Sequence, residues 1–130
     1  MKRSKIDAGA ICAPRSVIMK KTGSVHVRVW EFRVKTNLEK KFEKIYGPQG
    51  GWVRLFIKAK GYLRTEFLRD AETRERYLTV DYWISKEAYE NFRRKLGHEF
   101  TILGRKCESL TEKETFLGSF SSVANARSAK

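Results

Sequence analysis

Four side chains recur at alternate positions, His26, Arg28, Trp30 and Phe32, inside the stretch SVHVRVWEFRVK (24–35). If this stretch is a strand, its period of two puts these four and Val34 on one face, and Val25, Val27, Val29, Glu31 and Arg33 on the other. A histidine beside an arginine can assist removal of a phenolic proton and hold the resulting anion. Tyr82 and Trp83 of RYLTVDYWI (76–84), with Trp30 and Phe32, would supply flat apolar walls for a planar ligand to stack on. His26 and Arg28 are therefore the candidate catalytic residues, and Trp30, Phe32, Tyr82 and Trp83 the candidate substrate-binding ones. A plainer use competes with each: the aromatics as core or dimer interface, the histidine as a structural or exposed group.

Other groups carry weaker signals. Asp81 with Glu31 or Arg33 could form a polar patch, read best as an ion pair fixing the register between two copies of the chain. Arg64 and Glu66 read as cross-strand charge partners. GPQGG (47–51) lacks the GK[ST] ending of a phosphate loop and follows a helical pattern, so it is a stop and turn. KGYLRTEF (60–67) partly matches the basic-Gly-aromatic strand motif of RNA-recognition domains, but Leu63, Arg64 and Glu66 depart from it. Cys12 and Cys107 lie far apart and suggest neither a disulfide framework nor metal ligands.

The 130 residues, 41% apolar and 12% aromatic, suffice for one core and fit a single domain. Apolar runs are broken by Lys and Arg, which argues against a membrane span. The basic N-terminus has too short an apolar centre, interrupted by Pro14 and Arg15, for a secretory signal, and a reducing cytoplasm is expected. The formal charge is +13, but residues 1–23 carry six Lys/Arg against Asp7, and 122–130 add Arg127 and Lys130. More than half of the excess thus sits in the ends, which weakens a nucleic-acid reading. The composition of 1–23 predicts a flexible basic arm and that of 122–130 a disordered tail, with the folded domain over 24–121. Met19, ahead of KKTGSVHV, is a second candidate start.

The elements that must position the candidates follow from periodicity and punctuation. After the first strand, Thr36-Asn37-Leu38-Glu39 predicts a capping box, then a helix with Leu38, Phe42 and Ile45 inward that stops at Gly47-Pro48. A short helix buries Trp52, Leu55, Phe56 and Ala59. Strands over 61–70 and 76–84 form a hairpin across AETRE, and Ser85 caps a helix with Ala88, Tyr89, Phe92 and Leu96 inward, closed by Gly97. A further helical stretch uses Phe100, Leu103, Cys107 and Leu110, Thr111 to Glu114 repeats the cap signature, and Phe116, Leu117 and Phe120 belong to a final strand or docked tail. This order predicts an α+β ferredoxin-like sandwich, whose helices cover only one face of an antiparallel sheet.

The third strand therefore poses a problem, because both of its faces are apolar. With Leu78, Val80, Tyr82 and Ile84 under the helices, Tyr77, Thr79, Asp81 and Trp83 face away, joined by Val25, Val27, Val29 and Glu31. The simplest cover is a second copy of the sheet about a two-fold axis. The segments VWEFRVK, FEKIYGPQGGWVRLFIKAKGYLRTEFLRD and RYLTVDYWISKEAYENFR closely resemble antibiotic biosynthesis monooxygenase domains of the dimeric α/β-barrel superfamily, over about Val27 to Phe120. The most telling part is the strand ending in Trp83, then Ser85 and a helix with Ala88 and Phe92.

The resemblance implies a homodimer whose sheets pair into a barrel. It also implies three classes of relative: oxygenases of aromatic polyketides that use neither metal nor flavin, haem-degrading proteins, and members of no assigned activity. Haem-degrading relatives place an Asn on the first strand and a Trp and a His on the helix after the third. This chain has no Asn in WEFRV, has Phe92 near the position of that Trp, and has only His98 nearby. No cofactor and no metal are expected, and the expected partners are a second copy and a small aromatic ligand, not nucleic acid or membrane.

Overall fold

Alternating β-branched and aromatic residues make the central strand, β1 (His26–Val34), which two antiparallel neighbours flank. The computed structural model describes residues 24–124, so the expected arm and all but three residues of the expected tail lie outside the described residues. Chain order after β1 is α1 (Glu39–Tyr46), α2 (Gly51–Ile57), β2 (Tyr62–Arg69), β3 (Arg76–Trp83), α3 (Lys86–Cys107), a 3-10 turn (Glu108–Leu110) and β4 (Thr111–Ser121). The sheet order is β2-β3-β1-β4, antiparallel throughout, with the helices on one face: a ferredoxin-like α+β sandwich.

The two sheet faces are the reverse of the expected ones. Tyr77, Thr79, Asp81 and Trp83 point under the helices with His26, Arg28, Trp30, Phe32 and Val34, and all nine are buried. Leu78, Val80 and Tyr82 lie on the open face, in register with Glu31, Val29 and Val27. The physical reason is size: the aromatic set fills the depth between sheet and helices and interlocks ring by ring with Phe42, Tyr46, Phe56, Tyr89 and Phe92. The smaller branched residues make a flatter surface.

Local signals hold where tertiary packing agrees with them. Ser85 caps α3, its hydroxyl accepting from the Ala88 amide at 3.0 Å. Asp70 organises the β2–β3 hairpin by accepting from the amides of Glu72 (2.7 Å) and Thr73 (2.9 Å), and these bonds with Arg76 hold its carboxyl down at about 2.

Two expected signals are overridden, at Thr36 and Thr111, and a third is met by a kink. The capping box at Thr36 does not form: Asn37 turns the chain at φ 74, Leu38 takes the cap position without a side-chain bond, and Glu39 pairs instead with Arg74 at 3.8 Å. The break expected at Gly97 is present one residue earlier: Leu96 leaves helical geometry (φ −117, ψ 24), so α3 is two helical segments joined at a kink, and Phe100 and Cys107 carry the buried stripe into the second. Thr111 opens a strand instead of a helix, since β4 pairs along the whole length of β1.

Candidate active site

Between the sheet and the helices lies a small cavity of ≈ 20 Å³, lined by Trp30 and Phe32 of β1, Tyr46 of α1, Trp52, Val53 and Phe56 of α2, Thr65 of β2, and Thr79 and Asp81 of β3. Its walls are aromatic and its polar groups are confined to one strip of the sheet. Each is there for a local reason. Period two on β3 brings Thr79 and Asp81 to the face that also carries Tyr77 and Trp83. Gly50 and Gly61 bracket the segment that carries α2, and Gly61 takes φ +96 where an added Cβ would come within 2.6 Å of the Ala88 Cβ. That close approach seats the start of β2 against α3.

The polar strip is bonded in a defined direction. Thr65 Oγ1 donates to Asp81 Oδ1 at 2.6 Å and lies 2.7 Å from Tyr62 Oη. The Tyr62 ring packs on Phe56 and Trp83, and burial raises its phenol above the usual range, so it stays protonated. Arg28 sits directly across from Asp81 in the β1–β3 register. Its guanidinium lies between two rings, 4.1 Å from the centroid of Tyr89 and 4.5 Å from that of Phe116. A carboxylate in the cavity wall thus faces, across the strand pair, a buried, ring-stacked cation that lies outside the cavity lining.

The structure divides the expected site residues into three groups. Trp30 and Phe32 line the cavity, and Trp83 is fully buried behind it, in edge contact with Phe56 and Tyr62. His26 and Arg28 lie at the end of the same face, where the His26 ring meets Tyr89 at 5.9 Å. Burial, then the charges of Arg28 and Lys86, pull the His26 imidazole down to about 4, so at neutral pH it carries no charge. Tyr82 stands apart: it is on the open face, its hydroxyl donating to Glu66 at 3.1 Å and its ring under the Arg64 guanidinium at 3.8 Å. It cannot wall the same pocket as Trp83, because neighbours on a strand point to opposite sides.

Other expectations also shift. Asp81 does not share a patch with Glu31 or Arg33: Glu31 is on the open face, bonded to Arg76 at 2.6 Å, while Asp81 is interior. Arg64 and Glu66 pair along one strand at 3.6 Å and reach across it only through Tyr82. In KGYLRTEF, Tyr62 and Phe67 pack against the core, Phe67 stacking on Tyr77 at 5.4 Å, so neither is a platform for bases.

Thr65, Thr79 and Tyr62 were not singled out as site residues from sequence. Thr79 and Asp81 were findable, as polar residues sharing a strand face with Tyr77 and Trp83. The Tyr62–Thr65 contact was not, because residues three apart belong to opposite faces of a regular strand. The register jumps from Tyr62↔Trp83 to Arg64↔Tyr82, leaving Leu63 as an extra residue, and this bulge turns Tyr62 onto the face of Thr65.

Among the described residues no cluster of His, Cys, Asp and Glu is grouped as a metal ion would require, and no helix is long and apolar enough to cross a membrane. His98 is exposed on α3.

Comparison with known proteins points one way. No curated protein has a significantly similar sequence. Among solved structures, a variant of SnoaB, a cofactor-independent oxygenase from Streptomyces nogalater, superposes with a TM-score of 0.63 at 19% identity, covering 80% of this chain and 97% of that one. A haem-degrading protein from Mycobacterium tuberculosis gives 0.58 at 18% identity over 82% of this chain and 100% of its own. A conserved protein from Methanosarcina mazei Go1 gives 0.56 at 16% identity over 77% and 91%. At such identities the likeness establishes the fold. The family model described as antibiotic biosynthesis monooxygenase matches residues 26–99, spanning β1 through most of α3, and the chain belongs to that family.

Proposed function

We propose that this chain is a cofactor-independent monooxygenase that acts on a small aromatic or quinone-like molecule inside the chamber between sheet and helices, as a homodimer in the cytoplasm. The observation that carries this reading is the buried Asp81 carboxylate set, with Thr65 and Thr79, into an otherwise aromatic cavity wall, with Arg28 across the strand pair. In such a mechanism the substrate supplies the electrons that reduce oxygen, as a phenolate or carbanion. The protein removes a proton, orients the ring and excludes water. Asp81 is the proposed base. Arg28 is the proposed holder of the anion, and Trp30 and Phe32 are the stacking walls. His26, neutral and beside Arg28, keeps that end of the face free of a second positive charge.

A cavity of ≈ 20 Å³ has room for about one water molecule, so a ring enters only if a wall yields. The proposed moving wall is α2, seven residues between Gly50 and Gly61 that contribute Trp52, Val53 and Phe56. Haem is a poor fit for the same chamber, because the imidazole on its face is at the strand end beside Tyr89 and the other histidine is exposed. The homodimer reading rests on the open face, where Val27, Val29, Leu78 and Val80 are only half-buried and Leu68, Ile84 and Phe120 are exposed.

Oxygen uptake with hydroxyanthrone-type substrates under air tests the activity. Turnover that falls at least 100-fold in Asp81→Asn supports it, and no uptake across a broad aromatic panel leaves a small-molecule-binding dimer without catalysis as the better reading.

A further inference from the structure

We propose that the outer side of the helical layer carries a second small-molecule site, a groove between α2 and the second segment of α3 that takes a free aliphatic carboxylate. Its alkyl chain lies along Leu55 and Leu103, and its carboxylate rests on Arg54 and Lys58. The site is separate from the chamber and stands whether or not the chamber is an oxygenase site.

The groove is open and measures ≈ 560 Å³, within the size range of small-molecule sites. The seven residues of α2 divide it from the chamber: Trp52, Val53 and Phe56 line the chamber, whereas Arg54, Leu55, Ile57 and Lys58 line the groove. At Gly51 the two helices pack so closely that an added Cβ would lie 3.3 Å from Leu103 Cδ1, so Leu103 reaches the α2 backbone itself and belongs to the floor. The apolar lining is aliphatic where that of the chamber is aromatic, and an alkyl chain is the body that matches it. Ile57 is 63% exposed and Ile102, next to Leu103, is 48% exposed, so apolar area on this side stays in water. A second copy on the open face of the sheet does not cover it, because the helices lie on the other side.

Charge selects the head group. Arg54 and Lys58 are four residues apart and so share one side of α2. Arg54 donates to the Gln49 carbonyl at 3.4 Å, and among the described residues neither cation belongs to an ion pair, whereas Arg64, Arg69, Arg74 and Arg76 all do. Over residues 51–60 and 97–107, five Lys/Arg stand against Glu99 alone. An anion is the complement of such a surface. Glu99 lines the groove from α3 and repels an anion, which sets the orientation: the carboxylate sits on the α2 side.

The test measures binding of decanoate, decanol and decyltrimethylammonium, each below micelle formation, to the full chain by calorimetry at neutral pH. Decanoate is expected to bind about fivefold tighter than decanol, as two exposed ion pairs allow, and decyltrimethylammonium is expected to bind most weakly. The double variant Arg54→Gln/Lys58→Gln should abolish the preference for decanoate and leave decanol unchanged, and Glu99→Gln should tighten decanoate about twofold. All three positions are exposed and outside the chamber lining, so circular dichroism should be preserved and these effects assign the binding to the groove. Equal affinity for decanoate and decanol overturns the proposal, as does a preference that the double variant does not move, a decanoate affinity that Glu99→Gln weakens, or no decanoate binding. Sedimentation with phosphatidylglycerol vesicles without decanoate binding would replace the free ligand by a membrane surface, and so also overturns it.

Discussion

The two faces of the sheet are cut from the same strands and differ only in residue parity, yet they have different tasks. The helix side gathers Trp30, Phe32, Tyr77 and Trp83 around a bonded polar strip, whereas the open side carries Val27, Val29, Leu78, Val80 and Tyr82 among surface ion pairs. On the helix side, Asp81 accepts from Thr65 and the Arg28 guanidinium packs on aromatic rings inside the protein. On the open side, Glu31, Arg76 and Asp70 form a network at 2.6 and 2.8 Å that remains in reach of water. The difference teaches that a single step along β3, from Tyr82 to Trp83, separates the proposed assembly surface from the proposed site.

That contrast can be broken most severely at its interior end. Trp83→Ala removes a fully buried ring in contact with Phe56, Tyr62, Tyr89 and Phe92, and is expected to cost about 3–5 kcal/mol in urea unfolding. Tyr82→Ala, its neighbour on the open face, should stay near 1 kcal/mol or below, as surface changes do. Comparable losses at the two positions would contradict the assignment of faces.

The open face is probed by Val80→Arg, which places a charge in the middle of the proposed sheet-to-sheet contact. The dimer dissociation constant should rise at least about 100-fold in sedimentation velocity, from the cost of an unpaired charge in an interface, while far-ultraviolet circular dichroism is preserved. A wild-type chain that sediments as a monomer at micromolar concentration would remove the reason for the paired sheets.

A smaller loss, about 1 kcal/mol, is expected for Ser85→Ala, which takes the cap from α3 without touching either face. The mildest lever is pH. Because His26 titrates at about 4 in the fold against 6.5 when unfolded, the unfolded chain takes up that proton first and is favoured by it. The stabilisation is complete above 6.5 and is lost as pH falls towards 4, ahead of any contribution from Asp70, whose carboxyl is held at about 2. The urea midpoint of His26→Gln should decline less than that of the wild type over this window.

Much of this was legible in the residues themselves. The alternation of HVRVWEFRV and RYLTVDYW, the Ser85 cap and the turn at GPQGG gave element order and the sandwich, because these signals are local and packing reinforced them. The failures share a cause. Thr36 and Thr111 each carry a local cap signal worth about 1 kcal/mol, and the turn at Asn37 or pairing along β1 displaces it.

The candidate site divides along the same line. Sequence alone determined that His26, Arg28, Trp30 and Phe32 share a face, since that follows from period two, and that both faces of β3 are apolar. Only the tertiary structure decided which face the helices cover, because parity is symmetric until volume is counted and the larger rings take the deeper side. Only it could bring Tyr62 to Thr65 and Thr65 to Asp81, since that chain depends on a bulge at Leu63 and on two residues 16 apart in sequence meeting in one register.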